Sequence, residues 1–205
     1  ETYAISRDVT LRRPCERALA RVVATQEPDG SWAQGDTGAS GALVTAHMAQ
    51  ALYAARVAGL QGSKDAEERA SAFLRVRLRS ADLRTGGAWR RAASLALVAR
   101  LRGGEERSSE DMRDAARVLA VSQPASAAPI AWYEGMLAAF QLGGDTFKAW
   151  SPAMKNALMP AQRQGGCTDG SWDPPADGSG GRVEATALAA LTLEVHYRHE
   201  RAQAR

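Results

Sequence analysis

Residues 162–172 read Gln-Arg-Gln-Gly-Gly-Cys-Thr-Asp-Gly-Ser-Trp, and residues 26–32 give a shorter form of the same pattern, Gln-Glu-Pro-Asp-Gly-Ser-Trp. In each copy a Gln ends a helical pattern, a Gly-containing turn follows, and a Trp begins the next element. Both copies are followed by a polar, Gly-rich loop and then by a helical pattern rich in Ala and Leu. A turn that recurs in the same setting indicates a repeat, which constrains the fold more than any other feature of a sequence.

Helical periodicity accounts for most of the chain and predicts an all-α fold. Apolar residues recur at helical spacing in segments that end at Gly, Pro or Asp turns. No segment alternates apolar and polar residues over the length of a strand. The expected helices cover about residues 14–26, 42–57, 65–79, 91–102, 109–122, 132–142, 146–162 and 183–198.

The even-numbered helices of this series align on small residues and on Trp. A small residue starts each alignment, at Thr45, Ser94, Gly135 and Thr186, and a Leu follows seven residues later. A Trp precedes each small residue, at Trp32, Trp89, Trp132 and Trp172. Small residues let neighbouring helices approach closely, so we expect the even helices on the inside of a curve and the odd helices outside.

This alignment predicts four consecutive helical hairpins in a curved two-layer arrangement. The repeat domain is expected over residues 13–200, after an N-terminal arm at 1–12 and before a charged tail at 201–205. With 205 residues, 45% of them apolar and 24% charged, the chain has the composition of a soluble globular protein. No apolar run approaches the roughly eighteen residues of a membrane helix.

Charge, cysteines and chain start give few constraints on function. The net charge of +3 is only mildly basic. Cys15 and Cys167 match no metal-binding spacing, and they could pair only if the fold brings them together. A cytoplasmic location is the default expectation. Because the chain starts at Glu1 rather than Met, export and a longer parent chain are left open as alternatives.

The turn motifs resemble a known structural repeat. Gln26, Gly30 and Trp32 resemble the QW motif of triterpene cyclases, and a version two residues longer is matched by Gln164, Gly170 and Trp172. Residues 170–174 and 181–188 are similar to bacterial prenyltransferase/squalene-oxidase-repeat proteins of unassigned activity. The resemblance therefore implies the α/α-toroid superfamily of squalene–hopene cyclases, protein prenyltransferase β-subunits and thioester domains. Because the motif is structural in that family, the resemblance implies a partial or small toroid but no particular chemistry.

The catalytic motifs of these relatives are missing from the sequence. A triterpene cyclase protonates an alkene with an Asp-x-Asp-Asp cluster, and the aspartates here stand singly in loops. The zinc-binding Asp, Cys and His pattern of prenyltransferases and the Gly-Cys-Gly-Glu-Gln motif of thioester domains are not reproduced either. We therefore expect no catalytic residue and no cofactor.

Other ligand types have weak signals. His196 and His199 could share a metal, but cationic side chains are also favoured near a helix C-terminus. Loop residues Asp169, Asp173 and Asp177 do not match the alternating ligands of a calcium loop. The arginine-rich segment 69–91 is interleaved with acidic residues and lacks an aromatic platform. We expect no bound metal and no nucleic acid.

Two functional hypotheses remain. The first is a non-catalytic binding or scaffold module that recognises a ligand, a protein partner, the rest of a longer chain or a second copy. Its recognition surface would be the rim formed by the long loops 33–41 and 173–181, because loops that a rigid frame does not need often carry function. The candidate contacts are Trp32, Asp36, His47, Asp173, Asp177, Arg182 and Glu184. The alternative is a diverged or fragmentary toroid enzyme acting on an isoprenoid-like apolar substrate. A deep apolar cavity with a perturbed carboxylate would favour the enzyme, and a polar concavity would favour the binding module.

Overall fold

In a computed structural model, the described residues are 3, 6–35, 38–80, 87–110, 112–113, 119, 129–176 and 180–203. Over these ranges the chain forms helices and turns and no strand, which confirms the predicted all-α fold. Internal contacts divide the chain into two units, Glu1–Arg113 (unit 1) and Asp114–Arg205 (unit 2).

In unit 1 a short 3-10 helix, Val9–Leu11, is followed by helices close to the predicted ranges. These are α1 (Arg12–Ala24), α2 (Ala39–Val57), α3 (Lys64–Ser80) and α4 (Gly87–Arg102). Asp8 caps the 3-10 helix by accepting a hydrogen bond from the backbone N–H of Thr10.

Helix α2 is central in unit 1 and packs against both α3 and α4. Its buried face consists largely of small side chains, and among them Ala42, Ala46 and Ala49 are at most 2% exposed. Short side chains let the α4 backbone approach closely, and the fully buried Leu52 fills the space beside them. Burying one such Leu contributes about 1.5–3 kcal/mol. The direct packing of α2 on α4 is the arrangement expected for the two small-residue helices of this unit.

Unit 2 contains a 3-10 helix at Gly166–Thr168 and three described α-helices. These are α5 (Pro129–Leu142), α6 (Gly144–Leu158) and α7 (Gly181–Gln203). Helix α5 packs against both α6 and α7. The small-residue helices, which are α5 and α7 in this unit, again contact each other.

A glycine sets the approach of α6 to α5. Gly135 is buried, and a β-carbon built at this position would lie 2.8 Å from Cζ3 of the Trp150 indole. The indole is 7% exposed, and its Nε1 donates to the backbone oxygen of Leu119 at 3.1 Å. The small-residue column found in the sequence therefore makes room for a ring from the neighbouring helix.

Some expectations fall outside the described residues. Most of the predicted fifth helix, at about 109–122, lies there, as do the side chain of Trp89 and the tail beyond 203. The curved two-layer arrangement of four hairpins stays a prediction. Among the described helices, none combines the length and the apolar character that a membrane span needs.

Candidate functional site

The first turn motif is held by hydrogen bonds that the side chains of Gln26 and Trp32 donate to the backbone. The Gln26 amide donates to the backbone oxygen of Gly30 at 2.9 Å. The indole of Trp32 is 8% exposed, and its Nε1 donates to the backbone oxygen of Val22 at 2.8 Å. The backbone N–H of Trp32 donates to Oγ1 of Thr45 at 3.3 Å. Trp32, which was predicted as a binding contact, is thus part of the core and joins α1 to α2.

The second turn motif repeats these contacts. The Gln162 amide donates to the backbone oxygen of Gly170 at 2.9 Å. Trp172 donates from Nε1 to the backbone oxygen of Leu158 at 2.8 Å and from its backbone N–H to Oγ1 of Thr186 at 3.1 Å. Thr45 and Thr186, which the sequence aligned as small residues, therefore each accept a hydrogen bond from the backbone N–H of the Trp in their motif.

The position of the second Gln differs from the sequence alignment. Gln164 was matched to Gln26, but its side chain is exposed, and the amide that binds the turn is that of Gln162. The reason is that Gln162 comes four residues after Leu158, just as Gln26 comes four residues after Val22. The spacing from the helix, rather than the spacing to the Gly, determines which Gln reaches the turn.

Matching backbone bonds close the two turns. The N–H of Glu27 donates to the oxygen of Ser31 at 2.8 Å, and the N–H of Arg163 donates to the oxygen of Ser171 at 2.8 Å. Both motifs therefore share one set of hydrogen bonds, which we call the bracket, with three residues between Gln and Gly in the first motif and seven in the second. This shared bracket supports the repeat and gives the motif residues a structural role.

Two of the predicted rim residues lie together in unit 2. The Asp173 carboxylate forms ion pairs with Arg163 and with Arg182, the latter at 2.6 Å. Arg182 also donates to Oγ of Ser171 at 3.2 Å. The hydrogen bond from Arg163 is the main cause that lowers the pKa of Asp173, with Arg182 adding to it. This cluster fastens the loop after Trp172 to the start of α7.

Of the other polar rim residues, the structure describes Glu184 in unit 2 and His47 in unit 1. Glu184 is exposed in the first turn of α7 and its carboxylate covers Gly180. His47 is exposed on α2, and its Nδ1 lies 2.9 Å from the backbone oxygen of Leu43. Asp36 and Asp177 lie outside the described residues.

A polar concavity lies in unit 1, at the C-terminal ends of α2 and α4. This groove, which we call the charged groove, has a volume of about 580 Å³. Ala49, Ala72, Ala99 and Gly103 contribute small lining residues, so the space between the helices remains open. Loop 33–41 leads into the N-terminal end of α2, so the groove lies at the other end of that helix from this loop.

Two Arg–Glu pairs line the charged groove. Arg56 donates to both carboxylate oxygens of Glu67, at 3.0 and 3.2 Å, and joins α2 to α3. Arg100, which is 4% exposed, binds both oxygens of Glu105, with Nε at 2.7 Å from one of them. Arg75 approaches Glu105 at 3.5 Å. Bidentate pairing of this kind fixes both partners in one geometry.

A glycine pair brings Glu105 to Arg100. The N–H of Gly103 binds the oxygen of Ala99 at 2.9 Å, and Gly104 has a φ of +96°. The N–H of Glu105 then returns to the oxygen of Arg100 at 3.1 Å, which completes a helix C-cap. This turn places the Glu105 carboxylate beside the buried guanidinium of Arg100.

Two of the groove's arginines, Arg56 and Arg75, are more exposed than the carboxylates they pair with. The Arg56 side chain is 41% exposed and its partner Glu67 only 11%. Arg75 is 43% exposed and Glu105 19%. Lys64, at the start of α3, is 78% exposed. At the outer edge of the groove Lys64 is paired with Glu68, which is 67% exposed, and the lining as a whole has four cationic and three anionic side chains.

The environment of Glu105 favours its ionised form. Burial raises the pKa of this carboxyl, but the hydrogen bond and charge of Arg100, the charge of Arg75 and a hydrogen bond from Ser109 outweigh burial. The pKa is therefore lowered overall. The sequence analysis missed this site because its residues come from three helices, although the Arg100-x-x-Gly-Gly-Glu105 spacing at a helix end was a usable signal.

The basic segment of α3 is held by internal contacts. Nε of Arg69 donates to Oε1 of Gln26 at 3.1 Å, and the guanidinium of Arg77 lies 5.3 Å from the centre of the Phe73 ring. Both arginines therefore have structural contacts in unit 1.

Metal binding has no support in the described part of the chain, where His, Cys, Asp and Glu form no group of three or more around one point. Cys15 and Cys167 are free thiols, and the side chains of His196 and His199 lie outside the described residues.

No family model, curated protein or solved structure matches the chain.

Proposed function

We propose that this protein is a non-catalytic binding module with a toroid-like repeat fold, and that it recognises an acidic segment of a protein partner at the charged groove. The observation that carries the proposal is the charge of the groove lining, where exposed Arg56 and Arg75 pair with less exposed carboxylates and four cations outnumber three carboxylates. Complementary charge favours encounter with an anionic partner and fixes its orientation.

The repeat bracket supports the toroid-like part of the proposal. The Gln, Gly and Trp residues of both turns act structurally, as the resemblance to the QW motif implies. This use of the motif fits a frame that presents a binding surface.

The rim predicted from loops 33–41 and 173–181 stays a second candidate surface of the module. Asp173 already pairs there with both Arg163 and Arg182, and these contacts fasten the loop to α7. We therefore place primary recognition at the groove and leave the rim as a prediction.

The alternative is an enzyme acting on an isoprenoid-like apolar substrate. A general acid in such an enzyme needs a carboxyl with a raised pKa. The shifted carboxyl pKa values in the described residues are instead lowered, at Asp8, Asp29, Glu105 and Asp173. This pattern favours the binding module.

The test uses a fluorescein-labelled peptide of alternating Glu and Ala and fluorescence anisotropy. We expect saturable binding that weakens as salt rises, because exposed charges are screened. Lys64→Glu should weaken binding by about tenfold. Lys155→Glu is the matched control, because it changes net charge equally on an exposed position of α6 in unit 2.

Equal weakening by both variants, or equal binding of a Lys–Ala peptide, would contradict recognition at the groove. If light scattering shows a dimer that Lys64→Glu dissociates, the occupant is a second copy of this chain.

The cytoplasmic location and a longer parent chain stay predictions.

A further inference from the structure

A second concavity in unit 1 has a different chemical character from the charged groove. It lies between α1 and the C-terminal half of α2, with a volume of about 380 Å³. Leu19 and Val22 of α1 face Ala55 of α2 across it, and Leu60 closes one end. We call this space the apolar cavity.

The N-terminal arm supplies one wall of the apolar cavity. Tyr3 lines it, and Arg7 attaches the same segment to unit 1 by donating to the backbone oxygen of Ala58 at 3.2 Å. The backbone N–H of Arg7 also binds the oxygen of Tyr3 at 3.0 Å. Tyr3 thus covers part of the space with an aromatic side chain.

The polar atoms at the cavity are few and uncharged. None of its lining residues is acidic or basic. The Gln50 amide donates from Nε2 to the backbone oxygen of Leu95 at 3.3 Å, and its Oε1 has no hydrogen-bond partner among the described residues. The Tyr3 hydroxyl and the Cys15 thiol are the other polar groups of the lining. An uncharged wall disfavours an ion, because an unpaired charge loses its hydration there.

We propose that the apolar cavity binds a small, uncharged, mostly apolar molecule that carries one hydrogen-bond donor. The volume is in the range of about 300–1,000 Å³ that small-molecule sites occupy, and such sites combine apolar walls with a few polar groups. The ligand's donor pairs with Oε1 of Gln50, and its apolar body displaces water from Leu19, Val22 and Ala55. This site is separate from the groove assigned to the acidic partner.

The probe is N-phenyl-1-naphthylamine, an uncharged fluorophore with one N–H donor. Its sulfonated analogue, 8-anilino-1-naphthalenesulfonate, is the charged control. We expect saturable fluorescence enhancement with the neutral probe and at least about tenfold weaker binding of the sulfonate. Equal binding of the two probes would overturn the proposal.

A matched pair of variants locates the neutral probe. Ala18 is exposed on α1 and lines the cavity, whereas Ala20 is exposed on the same helix and does not. Ala18→Phe should occupy the cavity mouth and weaken binding by about tenfold, and Ala20→Phe should leave it unchanged. Equal effects of the two substitutions would overturn the assignment.

The two free cysteines give a second readout, in which the variant that reports on the cavity keeps the cavity wall unchanged. Cys15 lines the apolar cavity, and Cys167 is exposed in unit 2. In the Cys167→Ser variant, the neutral probe should slow alkylation of Cys15 by N-ethylmaleimide. In the Cys15→Ser variant, alkylation of Cys167 should keep its rate. An unchanged rate at Cys15 under saturating probe would contradict binding in this cavity.

Discussion

At Gly30 the backbone has a φ of +90°, and a β-carbon built there would lie 2.7 Å from the carbonyl carbon of Arg69. Gly30→Ala should therefore lower the free energy of unfolding by about 2–4 kcal/mol, from the left-handed backbone and the overlap together. Gly62 also has positive φ, at +93°, but has open space around it. Gly62→Ala should cost only about 1–2 kcal/mol. Urea unfolding of both variants measures the difference, and equal losses would mean that α3 moves away without cost.

The two glutamines near the second turn allow a test of the repeat at the residue scale. Gln162→Ala removes the hydrogen bond to Gly170, so we expect a loss of about 1 kcal/mol in the free energy of unfolding. Gln164→Ala should change stability by less than about 0.5 kcal/mol, because its side chain is exposed. Chemical denaturation compares them. The reverse order would restore the alignment made from sequence.

At the scale of elements, the packing of α6 on α5 depends on the contact of Gly135 with Trp150. Gly135→Ala should destabilise the protein by about 1–3 kcal/mol, because the new methyl group overlaps the indole. Trp150→Phe removes the ring atoms that the methyl group meets, so the double variant should show less than the summed loss. A double-mutant cycle from urea unfolding measures this coupling. Additive losses would show that the helices adjust independently of the contact.

The Arg100–Glu105 pair, at the end of α4, links stability to pH. Glu105→Gln leaves a buried guanidinium without its counter-charge and should cost about 3 kcal/mol at neutral pH, at the lower end for a buried pair. The pKa of Glu105 is lowered in the folded state, so the pair's contribution is full above the unfolded value of about 4.3. It is lost as pH falls through the folded pKa.

The stability difference between the parent and Glu105→Gln should therefore shrink on acidification, as measured by urea unfolding at several pH values. Glu106→Gln is the control, because Glu106 is an exposed neighbour. A difference that stays constant down to the acid limit would contradict the linkage.

At the scale of the whole molecule, each unit has its own buried cluster, so local damage should remain within one unit. Gly30→Ala should lower hydrogen-exchange protection in α1–α4 more than in α5–α7, and Gly135→Ala should do the opposite. Hydrogen exchange read by mass spectrometry resolves the two. Equal loss of protection in both units from either variant would indicate a single cooperative structure.

The sequence predicted the helices because their signals are local. Gly59 and Gly143, which follow α2 and α5, ended the periodic segments close to the observed boundaries. The charged groove was missed because Arg56 and Glu67 meet only after two helices pack, and no spacing along the chain encodes that distance. The rim residue Asp173 was recognised as polar and loop-borne, but its neutralisation by Arg163 depends on how the turn closes.

The bracket around each Trp has a consequence for engineering. The same hydrogen bonds close a turn with three residues between Gln and Gly in unit 1 and seven in unit 2, so they hold the ends of the segment and tolerate different lengths between them. Lengthening such a segment further costs little, since closure entropy rises only about 0.6 kcal/mol for each doubling. The stretch from Gly165 to Asp169 is therefore a natural graft point, where a foreign peptide could be displayed between fixed stems without disturbing the helices on either side.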